Sequence, residues 1–191
     1  GFVEGEGATY NVTGSQTIVG SSENYFTYEL NSGTKAGNYN ITTTNGTLTV
    51  TNRDAKYEIT VVANSGGEKY DGTEQTVSGL VSTTFEVAGN TYTVEGLTAE
   101  AKGTDAGEYP VNVTGTPVVK DEEGHDVTKQ FSVKTQNGNL TIDKRDVTLT
   151  SATDSKQYDG DPLTNDEVTV GGDGFVEGEG ATYNVTGSQT I

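Results

Sequence analysis

The sequence predicts an all-β protein made of small domains in tandem. Three observations carry that prediction. Short runs of Thr, Val, Ile and Tyr alternate with polar residues, as at 57–62, 109–113 and 147–150, the period-2 pattern of a half-buried strand. Asn-Gly, Asp-Gly and Gly-Gly pairs bound those runs, and such pairs favour tight turns. Residues 1–18 recur unchanged as residues 174–191, an offset of 173. So long an identity implies recent copying or continued homogenisation, and hence a window cut from a longer array whose ends fall inside a repeat.

The elements follow in chain order. Tyr25-Phe26-Thr27-Tyr28 reads as a strand with aromatics on both faces. Residues 39–50 read as a hairpin around Asn45-Gly46, because a type I′ turn wants positive φ at both central positions. The run 57–62 puts Tyr57, Ile59 and Val61 on one apolar face. Tyr70-Asp71-Gly72 ends a strand in a turn, with the ring packed and the glycine at positive φ. Strands are expected at 85–87 with 92–94, and at 109–113. Residues 97–102 and 126–130 are the best candidates for a helical turn. Asn137-Gly138 marks a second hairpin, followed by strands at 147–150 and 183–186. The expected core is Tyr57, Ile59, Val61, Tyr70, Val94, Tyr109, Val111, Val113, Phe131, Val133, Leu140 and Ile142. One face of each strand is threonine-rich, so the cores are thin and one sheet face is wet.

A shorter, degenerate repeat lies inside the period. Residues 39–50 resemble residues 131–142, aromatic for aromatic and β-branched for β-branched. Each copy runs into Arg-Asp, at Arg53-Asp54 and Arg145-Asp146, and then into Tyr-Asp-Gly, at Tyr70 and Tyr158. The arginines stand 92 residues apart and the tyrosines 88, which places a four-residue insertion near Asn64-Ser65-Gly66-Gly67. The chain then divides into 1–52, the C-terminal part of a repeat A; 53–143, a complete repeat B; and 144–191, the N-terminal part of the next repeat A. The joints at 51–54 and 143–146 are short, so the array is expected to be elongated.

Composition bounds the function. The net charge of −17 disfavours nucleic acid and anionic membrane surfaces, which repel an acidic chain. The chain has no Cys and no Met, which excludes disulfides and thiolate metal sites and removes the oxidisable side chains. No apolar run is long enough to span a membrane, so no membrane insertion is expected in this segment.

Several motifs together resemble a known family. They are Lys69-Tyr70-Asp71-Gly72-Thr73, Lys156-Gln157-Tyr158-Asp159-Gly160-Asp161-Pro162-Leu163 and Thr104-Asp105-Ala106-Gly107-Glu108-Tyr109. Asp126-Val127-Thr128-Lys129-Gln130-Phe131 and the closing Asn-Gly-Asn-Leu-Thr-Ile of 137–142 complete the set. In order and spacing the chain resembles tandem repeats of bacterial surface adhesins of the Tyr-Asp-Gly and MBG type, over both repeats. The resemblance implies small β-rich or β-grasp-like modules with a short helical turn, strung end to end on an extracellular, wall-attached protein. It carries no catalytic residue to this chain.

Candidate chemistry is sparse. Asp121-Glu122-Glu123-Gly124-His125-Asp126 is the densest acidic loop. Asp121, Glu123 and Asp126 are its candidate ligands for a hard cation such as calcium, though the spacing is not that of an EF-hand. A solvated turn is the plainer reading. His125 is the only histidine, so neither a His-based zinc site nor a Ser-His triad recurs in both repeats. Lys56, Lys69 and Lys156 are possible donors for an internal Lys–Asn or Lys–Asp crosslink. Tyr25, Phe26 and Tyr28 form the best candidate contact surface.

The expected role is therefore structural: no enzyme, no cofactor, and a stalk segment that projects a distal binding domain beyond the cell envelope. The alternative is a low-affinity binder of host glycans or mucin that works by avidity. Neighbouring repeats of the same protein are the expected partners, with head-to-tail joining one mode open to them, since each half of repeat A leaves strand edges open.

Overall fold

The computed structural model describes residues 1–189 and is nearly all β. The chain divides into two compact units, Gly1–Lys56 and the residues from Tyr57 on.

The first unit holds β1 (Ala8–Val12), β2 (Gly20–Asn24), β3 (Phe26–Leu30), a 3-10 turn at Ala36–Asn38 and β4 (Gly46–Val50). Strands β1 and β3 pair antiparallel, with Tyr10 opposite Tyr28 and Val12 opposite Phe26. Strands β2 and β4 form a second antiparallel pair, with Ser22 opposite Leu48. Residues 39–45 belong to no strand. No residue of this unit is buried.

The second unit opens with β5 (Tyr57–Val62), β6 (Gln75–Ser78) and β7 (Thr84–Val87). The long strands β8 (Asn90–Gly103) and β9 (Gly107–Lys120) follow. After a 3-10 turn at Thr128–Gln130 come β10 (Phe131–Gln136) and β11 (Gly138–Ile142), then β12 (Val147–Ser151) and β13 (Val168–Gly172). A five-stranded antiparallel sheet runs β11-β9-β8-β6, with β7 also on β8. A bulge between Glu95 and Leu97 interrupts the β8–β9 ladder, and bulges of this kind bend a strand and increase its twist.

Strand β10 pairs with β5 in parallel, from Phe131 opposite Tyr57 to Gln136 opposite Val62. Parallel bridges from Gly66 to Leu140 and from Lys69 to Asp143 continue that alignment onto β11. The first and last segments of repeat B are thus parallel neighbours.

Two adjoining clusters make the core. One gathers Ile59, Val61, Val94, Val119 and Phe131, and the other Ala63, Ala99, Val111, Leu140 and Ile142. Each fully buried aliphatic side chain contributes about 1.5–3 kcal/mol relative to exposure. Among the described residues, every buried position lies between Ile59 and Ile142.

Three local expectations fail, each for a physical reason. Residues 97–102 are strand, not helix, because Leu97 and Ala99 pair with β9 while Ala101 pairs with Val77 of β6; tertiary pairing overrides the propensity of Ala, Glu and Lys. Neither Asn-Gly pair closes a hairpin. Strand β10 pairs with β5 and β11 with β9, so Asn137-Gly138 is a corner between two sheets. The run 183–186 lies in no strand, although the first three residues of the identical run 10–13 belong to β1. Strand β1 has β3 beside it, and the partner, not the local sequence, makes the strand. The 126–130 expectation survives as the 3-10 turn at Thr128–Gln130.

Candidate functional site

The acidic loop follows β9. Asp121 Oδ1 accepts the backbone N–H groups of Glu123 at 3.1 Å and His125 at 2.8 Å, and its Oδ2 lies 3.0 Å from His125 Nδ1. Desolvation pushes the Asp121 carboxyl up, but the hydrogen bonds and charge of His125 outweigh it and hold the group below the usual carboxylate range. Asp121, Glu123 and His125 can bring one ligand atom each within 4.8 Å of one another. Asp126 is outside that group. Its Oδ1 accepts the N–H of Thr128 at 3.0 Å and the Thr128 hydroxyl at 2.6 Å, which lowers its pKa. Asp121 and Asp126 therefore serve first as staples of the turn into β10. The participation of His125 was open to sequence reasoning through its four-residue spacing from Asp121.

Of Tyr25, Phe26 and Tyr28, the last two lie in a strand, β3. Phe26 and Tyr28 share a face of β3 with Tyr10 and Val12 of β1, and Tyr10 meets Phe26 edge-on at 6.3 Å. Tyr25 stands between β2 and β3, outside both. Tyr25 is 57% exposed and Tyr28 37%. A shallow groove of about 260 Å³ runs beside Tyr10 and Tyr28.

The two Tyr-Asp-Gly triplets make the same turn in different surroundings. Asp71 caps Thr73 at 2.8 Å and Asp159 caps Asp161 at 3.0 Å, and Gly72 and Gly160 have φ of 81° and 89°. Tyr70 is half-buried and donates its hydroxyl to Glu179, a bond that raises its pKa. Tyr158 is 77% exposed and lines a cavity of about 300 Å³ with Asp159, Leu163 and Gln189.

Two of the three candidate crosslinking lysines, Lys69 and Lys156, make ion pairs. Lys69 Nζ lies 2.7 Å from Asp173 and 3.4 Å from Asp146, and Lys156 Nζ lies 2.7 Å from Asp159. No acid is buried among the described residues, so no helper carboxyl of the kind amide crosslinking uses stands beside them. Arg145 adds bonds to the carbonyls of Tyr70 at 3.3 Å and Gly174 at 3.0 Å, and a further bond to that of Asp173. These contacts tie Arg145, Asp146 and Asp173 to Lys69 and Tyr70.

The feature sequence reasoning missed is the edge of β12. Among the described residues, its one strand neighbour is β13. Ser151 faces Val168 there as Ala63 faces Leu80, and each residue of the second pair lies 88 positions earlier. The tyrosine offset of 88 therefore already holds at Ala63, and the four-residue difference falls ahead of β5 rather than at 64–67. By that offset Val61 corresponds to Leu149. Val61 is fully buried, whereas Leu149 is 47% exposed.

No protein-family model, curated protein or solved structure matches the chain. Among the described residues no helix is long and apolar enough to cross a membrane.

Proposed function

We propose that the chain is a load-bearing segment of a bacterial cell-surface fibre or adhesin stalk, an extracellular tandem array of small β-grasp-like modules that holds a distal binding domain away from the cell. The observation that carries this reading is the parallel alignment of the first and last segments of repeat B, β5 with β10 and 66–69 with β11. Tension enters a tandem module at its two ends. Parallel terminal strands are then pulled in opposite senses along their length, so their ladder bonds load together instead of opening one by one. Near-identical repeats also let reach change with copy number. Forced unfolding is governed by the unfolding barrier, so single-molecule stretching of a polyprotein is the test. Repeat B should give a distinct high-force event, and a Thr135→Pro substitution in β10 should lower its force. Opening at baseline force would count against the reading.

Exposed Tyr25 and Tyr28 favour a second reading, a weak glycan or mucin binder acting by avidity. Binding of a multivalent display of the chain to a glycan array, lost on Tyr28→Ala, would favour it.

A further inference from the structure

The sequence holds two Asn-Gly pairs, Asn45-Gly46 and Asn137-Gly138. Such pairs are prone to deamidation, because glycine has no Cβ to shield its nitrogen from the preceding amide. The glycine nitrogen attacks the asparagine Cγ, and the Cγ–Nδ2 bond breaks. The proton given up by the glycine N–H leaves with the amide nitrogen as ammonia. Water then opens the resulting succinimide ring at either carbonyl, to aspartate or to isoaspartate. Water is the only co-reactant, so the fold decides which pair reacts.

Both asparagines are exposed, and access to water does not separate them. What separates them is the freedom of the amide to turn its Cγ toward the next nitrogen. Asn137 is held at both ends of its amide. Its Oδ1 accepts the Val113 N–H at 3.0 Å, and its Nδ2 donates to Asn112 Oδ1 at 2.8 Å. Gly138 is confined as well, since a Cβ there would overlap the Asn64 carbonyl. Among the described residues, Asn45 has one side-chain bond, from Nδ2 to Glu23 Oε2 at 2.9 Å, and Glu23 is itself exposed.

The cause lies in the neighbouring strand. Gly138 faces Val111, and the lock on Asn137 comes from the next two residues of β9, Asn112 and Val113. Gly46 faces Asn24 of β2. The next two residues there are Tyr25, which has no side-chain amide, and Phe26, which has already entered β3. Each pairing lies within one compact unit, and the contrast turns on residues the chain contains.

We propose that Asn45 is a site of spontaneous deamidation in the folded protein, while the β9 lock protects Asn137. The product replaces a donor to Glu23 with a second carboxylate, and like charges across paired strands repel. Its isoaspartate form also inserts an extra carbon into the main chain just ahead of β4. Strand β4 therefore loosens on β2 as the protein ages. The inference does not rest on the stalk reading.

The test is a timed incubation of the chain in warm, mildly alkaline buffer, read by peptide mapping and by enzymatic methylation of isoaspartyl carboxyls. Aspartate and isoaspartate should accumulate at position 45 about tenfold or more faster than at position 137, because two hydrogen bonds must break before the Asn137 amide can turn. In strong urea the two rates should converge, since the lock is then gone. Comparable rates in the folded chain overturn the proposal. So does a gap that persists in urea, because local sequence rather than the fold then sets it. Asn112→Ala, at an exposed site, should speed the reaction at Asn137 severalfold and leave Asn45 unchanged; no change at Asn137 overturns the assigned lock. Asn45→Asp should speed hydrogen exchange of the β4 amides, and Glu23→Gln in that background should slow it again. Unchanged exchange in Asn45→Asp overturns the loosening of β4.

Discussion

Tyr109 lays its ring across the bare Cα of Gly103, so that a Cβ at Gly103 would fall within the ring. The Tyr109 hydroxyl donates to the carbonyl of Asp105 at 2.9 Å, tying the ring to the turn between β8 and β9. An aromatic over a strand glycine shields backbone that would otherwise be open. Gly103→Val should therefore cost about 1–3 kcal/mol by overpacking, read as a lower urea midpoint. Adding Tyr109→Ala should recover part of that loss, with a coupling on the order of 0.5–3 kcal/mol. Strict additivity of the two substitutions would mean that the ring does not pack there.

Phe131 is 4% exposed and meets Tyr92 edge-on at 4.7 Å and Tyr57 at 5.7 Å. Phe131→Ala should cost about 3–5 kcal/mol, the usual range for a buried aromatic. The counterpart Tyr39 is half-buried, packs edge-on against Phe2 at 5.0 Å, and accepts a bond from the Val3 N–H. Tyr39→Ala should therefore cost clearly less than Phe131→Ala in dilute protein. Equal costs would mean that the first unit is as well packed as repeat B.

Calcium should add nothing to folding. Asp121 spends both carboxylate oxygens on His125 and the Glu123 backbone, and Asp126 is occupied by Thr128. A cation would have to displace those bonds. Melts in calcium and in chelator should superimpose; a rise of several degrees with calcium would restore the loop as a metal site.

Acid should weaken the fold only at low pH. Asp71 is held below the usual carboxylate range by the Thr73 hydroxyl and N–H, Asp126 by those of Thr128, and Asp173 by the Lys69 ammonium. A carboxylate lowered in the folded state contributes stability that is present above its unfolded value, about 3.9, and is lost as pH falls through its folded value. Urea midpoints should be level near neutral pH and fall below about pH 4. Asp71→Asn with Asp126→Asn should flatten the fall. A decline that begins above about pH 5 would point to other groups.

The strand faces were legible because burial follows a period of 2. Ile59, Val61, Val111, Phe131, Leu140 and Ile142 are buried as the alternation requires, and Tyr57, Tyr70, Tyr109, Val113 and Val133 are half-buried at the rim. Ala63, Ala99 and Val119 also join the core; the two alanines are too small to stand out in a hydropathy pattern. Pairing was not legible. Whether a run meets its neighbour in sequence or a strand far along the chain depends on which backbone groups are already taken. Thus 131–142 looked like a hairpin but turns a corner between two sheets, and 39–50 holds a strand, β4, on only one side of Asn45. The edge of β12 became visible only when Ser151 could be matched to Ala63 in space.

That corner yields the last prediction. At Gly138 a Cβ would run into the carbonyl of Asn64, while Asn137 Oδ1 accepts the Val113 N–H at 3.0 Å and its Nδ2 donates to Asn112 at 2.8 Å. The Asn-Gly pair is there for the close approach of Gly138 to Asn64, not for a turn. Gly138→Ala must push two backbones apart and should cost about 1–3 kcal/mol. Gly46 occupies the same place in the repeat, but the nearest atom to its Cβ position is the Asn24 Cβ at 3.9 Å. Gly46→Ala should be within about 0.5 kcal/mol of neutral in dilute protein, as an open surface site is. Paired urea titrations of the two variants measure the contrast. If both substitutions cost the same, the glycines answer to local turn geometry, and the reading of Asn137-Gly138 as a corner fails.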